Sequence, residues 1–225
     1  VAMLTTAGLK KIALRVPAHE QARKLLAICD MPIAAPSANP SGHISPSTAD
    51  HVYAGLAGKI DLILDGGPCE KGLESTIIDC TGESPILLRP GGISRSAIEM
   101  ALDSAGLHCR LRDANAVLDH GQPIAPGQLQ SHYAPDASVR LDATSQQDDE
   151  ELIGFGPILG AGQLSLSLSS SGNMQEAAAN LFSMLHQANA VTTGTHRRIA
   201  VAPIPKDGVG EAINDRLQRA AAPRN

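Results

Sequence analysis

Ala34-Ala35-Pro36-Ser37-Ala38-Asn39-Pro40-Ser41-Gly42-His43-Ile44-Ser45-Pro46-Ser47-Thr48 is the densest polar cluster in the chain, set between two hydrophobic rhythms. Before it, residues 32–35 are a short apolar run suited to a strand. After it, Val52 and Leu56 share one face of a helix expected over 48–56, with Ser47 or Thr48 as its cap. Strand, small-residue loop and helix start make an α/β arrangement. Hydroxyls, an amide and free N–H groups at a helix start can cradle an anion. The same residues also make an ordinary turn and N-cap, and the three prolines remove three N–H donors.

Outward from this loop the pattern continues. Residues 11–16 alternate, with Ile12, Leu14 and Val16 on one face and Ala13 and Arg15 on the other, which is a strand pattern. Ala22, Leu25, Leu26 and Cys29 predict a helix over 19–30. Residues 60–64 read as a strand stopped by Asp65-Gly66-Gly67-Pro68, and 75–79 and 85–88 as further strands. A helix over 94–105 is capped by Ser94 and closed by Gly106. Periodicity fades over 112–135, where Pro123, Pro126, Gly127 and Pro135 punctuate a long connection of the functional or linker kind. Regular structure returns with strands at 138–141, 152–155, 164–168 and 199–202. Asn173 and Glu176 resemble a capping box opening a helix whose stripe is Met174, Ala178, Leu181 and Leu185; Ile213 and Leu217 mark a last helix over 210–221. The expected organisation is one α/β unit over 1–111, a linker over 112–135 and a smaller α/β unit over 136–225.

Composition narrows the function. With 43% hydrophobic and 18% charged residues in 225, a sizeable core is expected. Aromatics are 2% and Trp is absent, so base stacking on aromatic platforms is nearly ruled out. A net charge of −5 opposes a broad basic surface, though not a local RNA contact or a small anion pocket. Cys29, Cys69, Cys80 and Cys109 form no C-x-x-C pair, which argues for reduced cytoplasmic thiols and against structural zinc. The eight histidines suggest no metal cage, and neither a dinucleotide fingerprint nor a P-loop is present. No apolar run approaches the roughly 20 residues of a membrane helix. The opening Val1-Ala2-Met3 shows no secretion signal and reads as the start of a fragment or a processed form.

Several residues could carry chemistry. Arg89 ends a strand before Pro90-Gly91-Gly92 and could grip a phosphate bidentately, or be a surface Arg before a turn. Arg15 would need an anionic partner if both faces of its strand were covered, and a protein carboxylate serves as well as a substrate. Ser75 and Thr76 offer hydroxyls at a strand start. His132-Tyr133 closes the linker and could cover a nucleotide, Tyr on an apolar face and His near phosphate.

In order along the chain, these segments resemble one family. Ala34 through Gly42, Ile44-Ser45-Pro46, Leu62-Ile63-Leu64-Asp65-Gly66-Gly67, Gly72-Leu73-Glu74-Ser75-Thr76 and Leu88-Arg89-Pro90-Gly91 are similar to the YrdC-type L-threonylcarbamoyladenylate synthases. His132-Tyr133-Ala134-Pro135, and the tail Ile204-Pro205 with Ala212-Ile213-x-Asp215-Arg216-Leu217, resemble the two-domain form with a C-terminal extension. The resemblance implies a YrdC-like twisted mixed sheet with helices, incomplete at its front, plus a small Rossmann-like α/β C-terminal domain. It implies synthesis of threonylcarbamoyl-AMP from ATP, L-threonine and bicarbonate with release of pyrophosphate, aided by Mg²⁺, for threonylcarbamoyladenosine in tRNA. A tRNA-modifying transferase complex would take the product. The implied ATP contacts are Lys11, Ser37, Asn39, Ser45, Arg89, His132 and Tyr133; the implied threonine contacts are Arg15, Ala35 and Ser75. Lys11 stands where the family more often has Thr.

The family's early segment, a Thr-containing substrate strand and a Lys-x-Arg motif, is absent from this sequence. The implied consequence is a chain that by itself is inactive or nearly so, which pyrophosphate release tests. The alternative is a non-catalytic nucleotide- or double-stranded-RNA-binding module of the same fold. A hydrogenase-maturation carbamoyl-adenylate enzyme would bring zinc-type Cys pairs, which are not found.

Overall fold

The computed structural model describes residues 3–6, 8–114, 125–127, 129 and 131–223. Val1, Ala2 and Pro123, cited above, lie outside the described residues. A 3-10 turn at Met3–Thr6 is followed by α1 (Glu20–Cys29) and α2 (Ala49–Leu56). Next come β1 (Ile77–Asp79), β2 (Ile86–Arg89), α3 (Arg95–Ser104) and β3 (Arg112–Asp113). The chain continues with β4 (Val139–Arg140), β5 (Glu150–Ile153), α4 (Met174–Thr192), β6 (Arg198–Val201) and α5 (Gly210–Ala221).

Two three-stranded sheets result. The first, in order β1-β2-β3, is mixed: β2 runs antiparallel to β1 and parallel to β3. The second, in order β4-β6-β5, is parallel throughout, with β5 buried along its length, as in α/β units whose sheets are covered. The α/β expectation, a mixed sheet with helices plus a small α/β unit, is met.

Capping chemistry sets the helix starts. Thr48 accepts from the His51 N–H, Ser94 from Ala97, and Asn173 from Gln175 and Glu176. The capping box is only half made. Glu176 turns instead to the Ser169 hydroxyl at 2.6 Å, and that hydroxyl takes the Asn173 N–H at 2.9 Å. Nearby serines outcompete the reciprocal bond.

The core lies mainly in the second unit. α4 buries Ala177, Ala178, Leu181, Phe182, Leu185 and Ala188; α5 adds Ile213, Leu217 and Ala220; β5 and β6 supply Ile153, Ile199 and Val201. Each fully buried Leu, Ile or Phe stabilises by about 1.5–3 kcal/mol. Ile44 and Tyr133 belong to the same cluster, and Leu73 packs against it. Helices α1, α2 and α3 bury no residue.

Four expected strands are not formed. Residues 11–16, 32–35 and 60–64 are irregular and join no ladder, and Leu14, Val16 and Leu62 are more than four-fifths exposed. A strand exists only through a partner's hydrogen bonds, and among the described residues no ladder bond reaches these segments. Residues 164–168 contribute a single bridge between Ser167 and Gly154 instead of a ladder.

Candidate functional site at the seam between the two units

The polar loop is shaped by its own amide. Asn39 Nδ2 donates to the Pro40 and His43 carbonyls, at 2.8 and 3.1 Å, and the His43 N–H closes the turn onto Pro40. The linker then clips on: the Ala134 N–H donates to Gly42 O at 3.0 Å and His43 bridges Ala134. This plants Ile44 in the core and buries Ser45, whose hydroxyl donates to Glu74 Oε1 at 2.8 Å.

Arg89 ends β2 almost fully buried. Its Nε and Nη2 donate to Ser75 O at 3.2 and 2.7 Å, and Nη1 to Pro126 O at 3.1 Å. Burial, then the nearby Arg216 charge, lowers its pKa from the usual guanidinium value, while Tyr133 and Glu74 oppose that. Two glycines permit the approach. A Cβ on Gly91 would stand 2.3 Å from Glu74 O, and one on Gly127, at φ +84°, 2.5 Å from the Tyr133 hydroxyl. Tyr133 is itself buried at φ 60°, a conformation uncommon outside glycine and held here by packing. His132 sits edge-on to it, with ring centroids 4.1 Å apart. Burial lowers the His132 pKa, so its ring is neutral near pH 7.

Beneath these residues lies an ion pair that was not singled out in the sequence. Arg216 Nε donates to Glu74 Oε2 at 2.8 Å and Nη2 to Pro90 O at 2.9 Å. Burial alone would raise the Glu74 pKa; the charge and hydrogen bond of Arg216, with the Ser45 hydroxyl, bring it below the usual carboxylate range. On the other side, His51 and His186 stack at 3.9 Å, and His186 Nε2 lies 3.1 Å from Ser45 O. Burial, then the neighbouring His51, depresses His186 to about 4. The signal for Arg216 was a charge on an apolar stripe, between Ile213 and Leu217; for the histidines there was none.

The expected residues therefore divide. Asn39, Ser45, Ser75, Arg89, His132 and Tyr133 converge on the seam. Ala35, Ser37 and Arg15 are exposed on irregular chain. Lys11 pairs with Asp79 at 2.5 Å, and that bond, with two from Thr81, holds Asp79 at about 2. Among the described residues, Asn39 Oδ1 and His132 Nδ1 are buried without a hydrogen-bond partner, as are Glu151 Oε1 and Arg197 Nε in the second unit. Two hollows, of about 40 and 260 Å³, lie elsewhere: one beside Leu141, Ile204 and Leu217, the other among Arg95, Glu99 and Lys206. Among the described residues, no group of three His, Cys, Asp or Glu could hold a metal, and no helix is long and apolar enough to cross a membrane.

Known proteins share this fold and sequence. A family model described as "Telomere recombination" matches residues 1–91, and one described as "Threonylcarbamoyl-AMP synthase, C-terminal domain" matches 93–222. The threonylcarbamoyl-AMP synthase of Bacillus subtilis is 36% identical over 97% of this chain and 65% of its own length. That of Pyrococcus abyssi is 35% identical over 100% of this chain and 68% of its own. The crystal structure of P. abyssi Sua5 complexed with L-threonine superposes with a TM-score of 0.82 at 34% identity, covering 98% of this chain and 67% of that one. The chain thus spans about two thirds of the length of these relatives. It belongs to the threonylcarbamoyl-AMP synthase family.

Proposed function

We propose that the protein makes L-threonylcarbamoyl-AMP from L-threonine, bicarbonate and ATP, releasing pyrophosphate, for tRNA modification. The observation that carries this is the convergence of the polar loop, Arg89 and the His132-Tyr133 linker at one seam. The seam suits a reaction that needs positioning more than covalent chemistry. An oxygen of threonine carbamate attacks the α-phosphorus, and the bond to the pyrophosphate oxygen breaks. Charge grows on the leaving group, and fixed donors offset it. Arg89, with three of its five N–H donors spent on carbonyls, is held rigid with the remainder for phosphate and Tyr133. Asn39 and Ser45 sit beside the nucleotide, and Ser37, exposed in this arrangement, joins them from the loop. His132 and Tyr133 close over it from the linker. Threonine lies toward Ser75, Ala35 and Arg15, and Lys11 reaches the nucleotide only by leaving Asp79.

Mg²⁺ would enter with the ATP phosphates, which supply its oxygen ligands and gain charge neutralisation from it. The same reading divides the chain into 1–111, 112–135 and 136–225: β4 at Val139–Arg140 opens the second sheet, while β3 at Arg112–Asp113 carries the first sheet into the start of the linker. A cytoplasmic location, transfer of the product to a tRNA-modifying complex and a local RNA contact belong to the same reading.

Calorimetric ATP titrations with and without L-threonine test it. We expect ATP to bind more tightly when threonine is present, and any pyrophosphate release to require threonine and bicarbonate. ATP affinity indifferent to threonine would contradict the assignment.

A further inference from the structure

We propose that Arg216 is a positioning residue for the nucleotide side of the site, orienting Ser45 through Glu74 and the Arg89 loop through Pro90. The proposal rests on the adenylate-forming reading above.

Arg216 is fully buried in α5 on the stripe that carries Ile213 and Leu217. A guanidinium stays charged, so it is tolerated in an apolar core only when its donors are spent. Here three of the five are spent, on two distant pieces of chain and on the neighbouring Asp215. Nε meets Glu74 ahead of β1, Nη2 meets the Pro90 carbonyl just after Arg89, and Nη1 meets Asp215 at 2.6 Å. The guanidinium carbon lies 5.3 Å from the centre of the Tyr133 ring, a cation–π contact to the linker. One side chain of the C-terminal unit therefore joins the segment ahead of β1, the strand end and the linker, and reaches the polar loop through Glu74 and Ser45. None of these contacts touches a reacting atom.

The consequence for Ser45 is chemical. Glu74, held ionised by Arg216, can only accept, so the Ser45 proton points at Glu74 Oε1. The oxygen of Ser45 then presents lone pairs to the site. It can take a hydroxyl or amino donor of the nucleotide, or a cation on its phosphates, but cannot donate to a phosphate oxygen. Without Arg216, Glu74 is a buried unpaired carboxylate that would take up a proton, and the hydroxyl of Ser45 would lose its fixed direction.

Calorimetry with ATP and, separately, L-threonine on the full chain tests this, alongside thermal unfolding, for wild type, Arg216→Lys, Arg216→Met and Glu74→Gln. We expect Arg216→Met to weaken ATP binding about tenfold or more, with L-threonine binding changed by less than about twofold. Arg216→Lys, which keeps the charge and loses the fork, should fall between, and it decides the matter if the Met variant does not fold. Glu74→Gln should weaken ATP selectively as well. Parallel losses for both ligands, or unchanged ATP binding in the folded variants, would overturn the positioning role and leave the adenylate-forming reading intact. A wild-type chain that binds neither ligand would sink that reading, and the proposal with it.

Discussion

Helices α1 and α4 each carry an apolar stripe, yet α4 buries Leu181 and Leu185 completely while α1 buries nothing and leaves Ile28 82% exposed. The stripes differ less than the surfaces opposite them. α4 lies on a parallel sheet and against α5, so each side chain finds partners on several sides. Among the described elements, none packs closely against α1. Amphipathic spacing states which face of a helix is available for burial; a packed surface opposite is what turns that into stability. The difference also explains the seam. Tyr133, itself an expected nucleotide contact, and Ile44 and Leu73, which neighbour others, pack in the core of the second unit and not on the first sheet.

Mutations sharpen this contrast. Leu181→Ala should cost about 2–5 kcal/mol in denaturant unfolding, because the cavity cannot collapse. Leu25→Ala in α1, already 43% exposed, should stay within about 0.5 kcal/mol. Equal costs would erase the distinction. Gly127→Ala comes next, at about 1–3 kcal/mol, since a side chain at φ +84° is strained and meets the Tyr133 hydroxyl. Its sign should also be visible as faster proteolysis within 125–135.

The histidine stack gives a smaller, pH-dependent effect. His186 stays neutral in the folded chain down to about 4, whereas an unfolded chain protonates it near 6.5. The unfolded state therefore binds more protons below 6.5, so the contribution is whole above that pH and is lost as pH falls toward 4. After allowing for solvent, it is on the order of 1 kcal/mol. Melting temperatures of His186→Gln should fall less steeply over this window than those of wild type; identical slopes would remove the stack from the seam's energetics. Lys11→Ala should have the least effect, under about 1 kcal/mol, because Lys11 is 57% exposed although Asp79 is not.

Much of this was legible before the fold was known. Thr48, Ser94 and Asn173 announce their helices because a short polar side chain at a helix start satisfies free N–H groups locally. Local chemistry needs no knowledge of distant residues. The strands over 11–16 and 60–64 were misread for the converse reason: alternation shows that a segment could pair, not that a neighbour exists. Ser45, Arg89 and Tyr133 were visible through the order of their motifs, whereas the Glu74–Arg216 pair was not. It joins residues 142 positions apart, and only packing brings α5 beneath the strand end. Arg216 on an apolar stripe hinted at a buried partner without identifying it.

Hydrogen–deuterium exchange resolved by segment tests most directly whether the seam belongs to the core of the second unit. We expect the hydrogen-bonded amides of 43–52, 90–93 and 132–135 to exchange slowly, in step with α4, while 11–16 and 60–64 exchange at the rate of open chain. If 43–52 exchanges as fast as 11–16 while α4 remains protected, the site does not rest on that core.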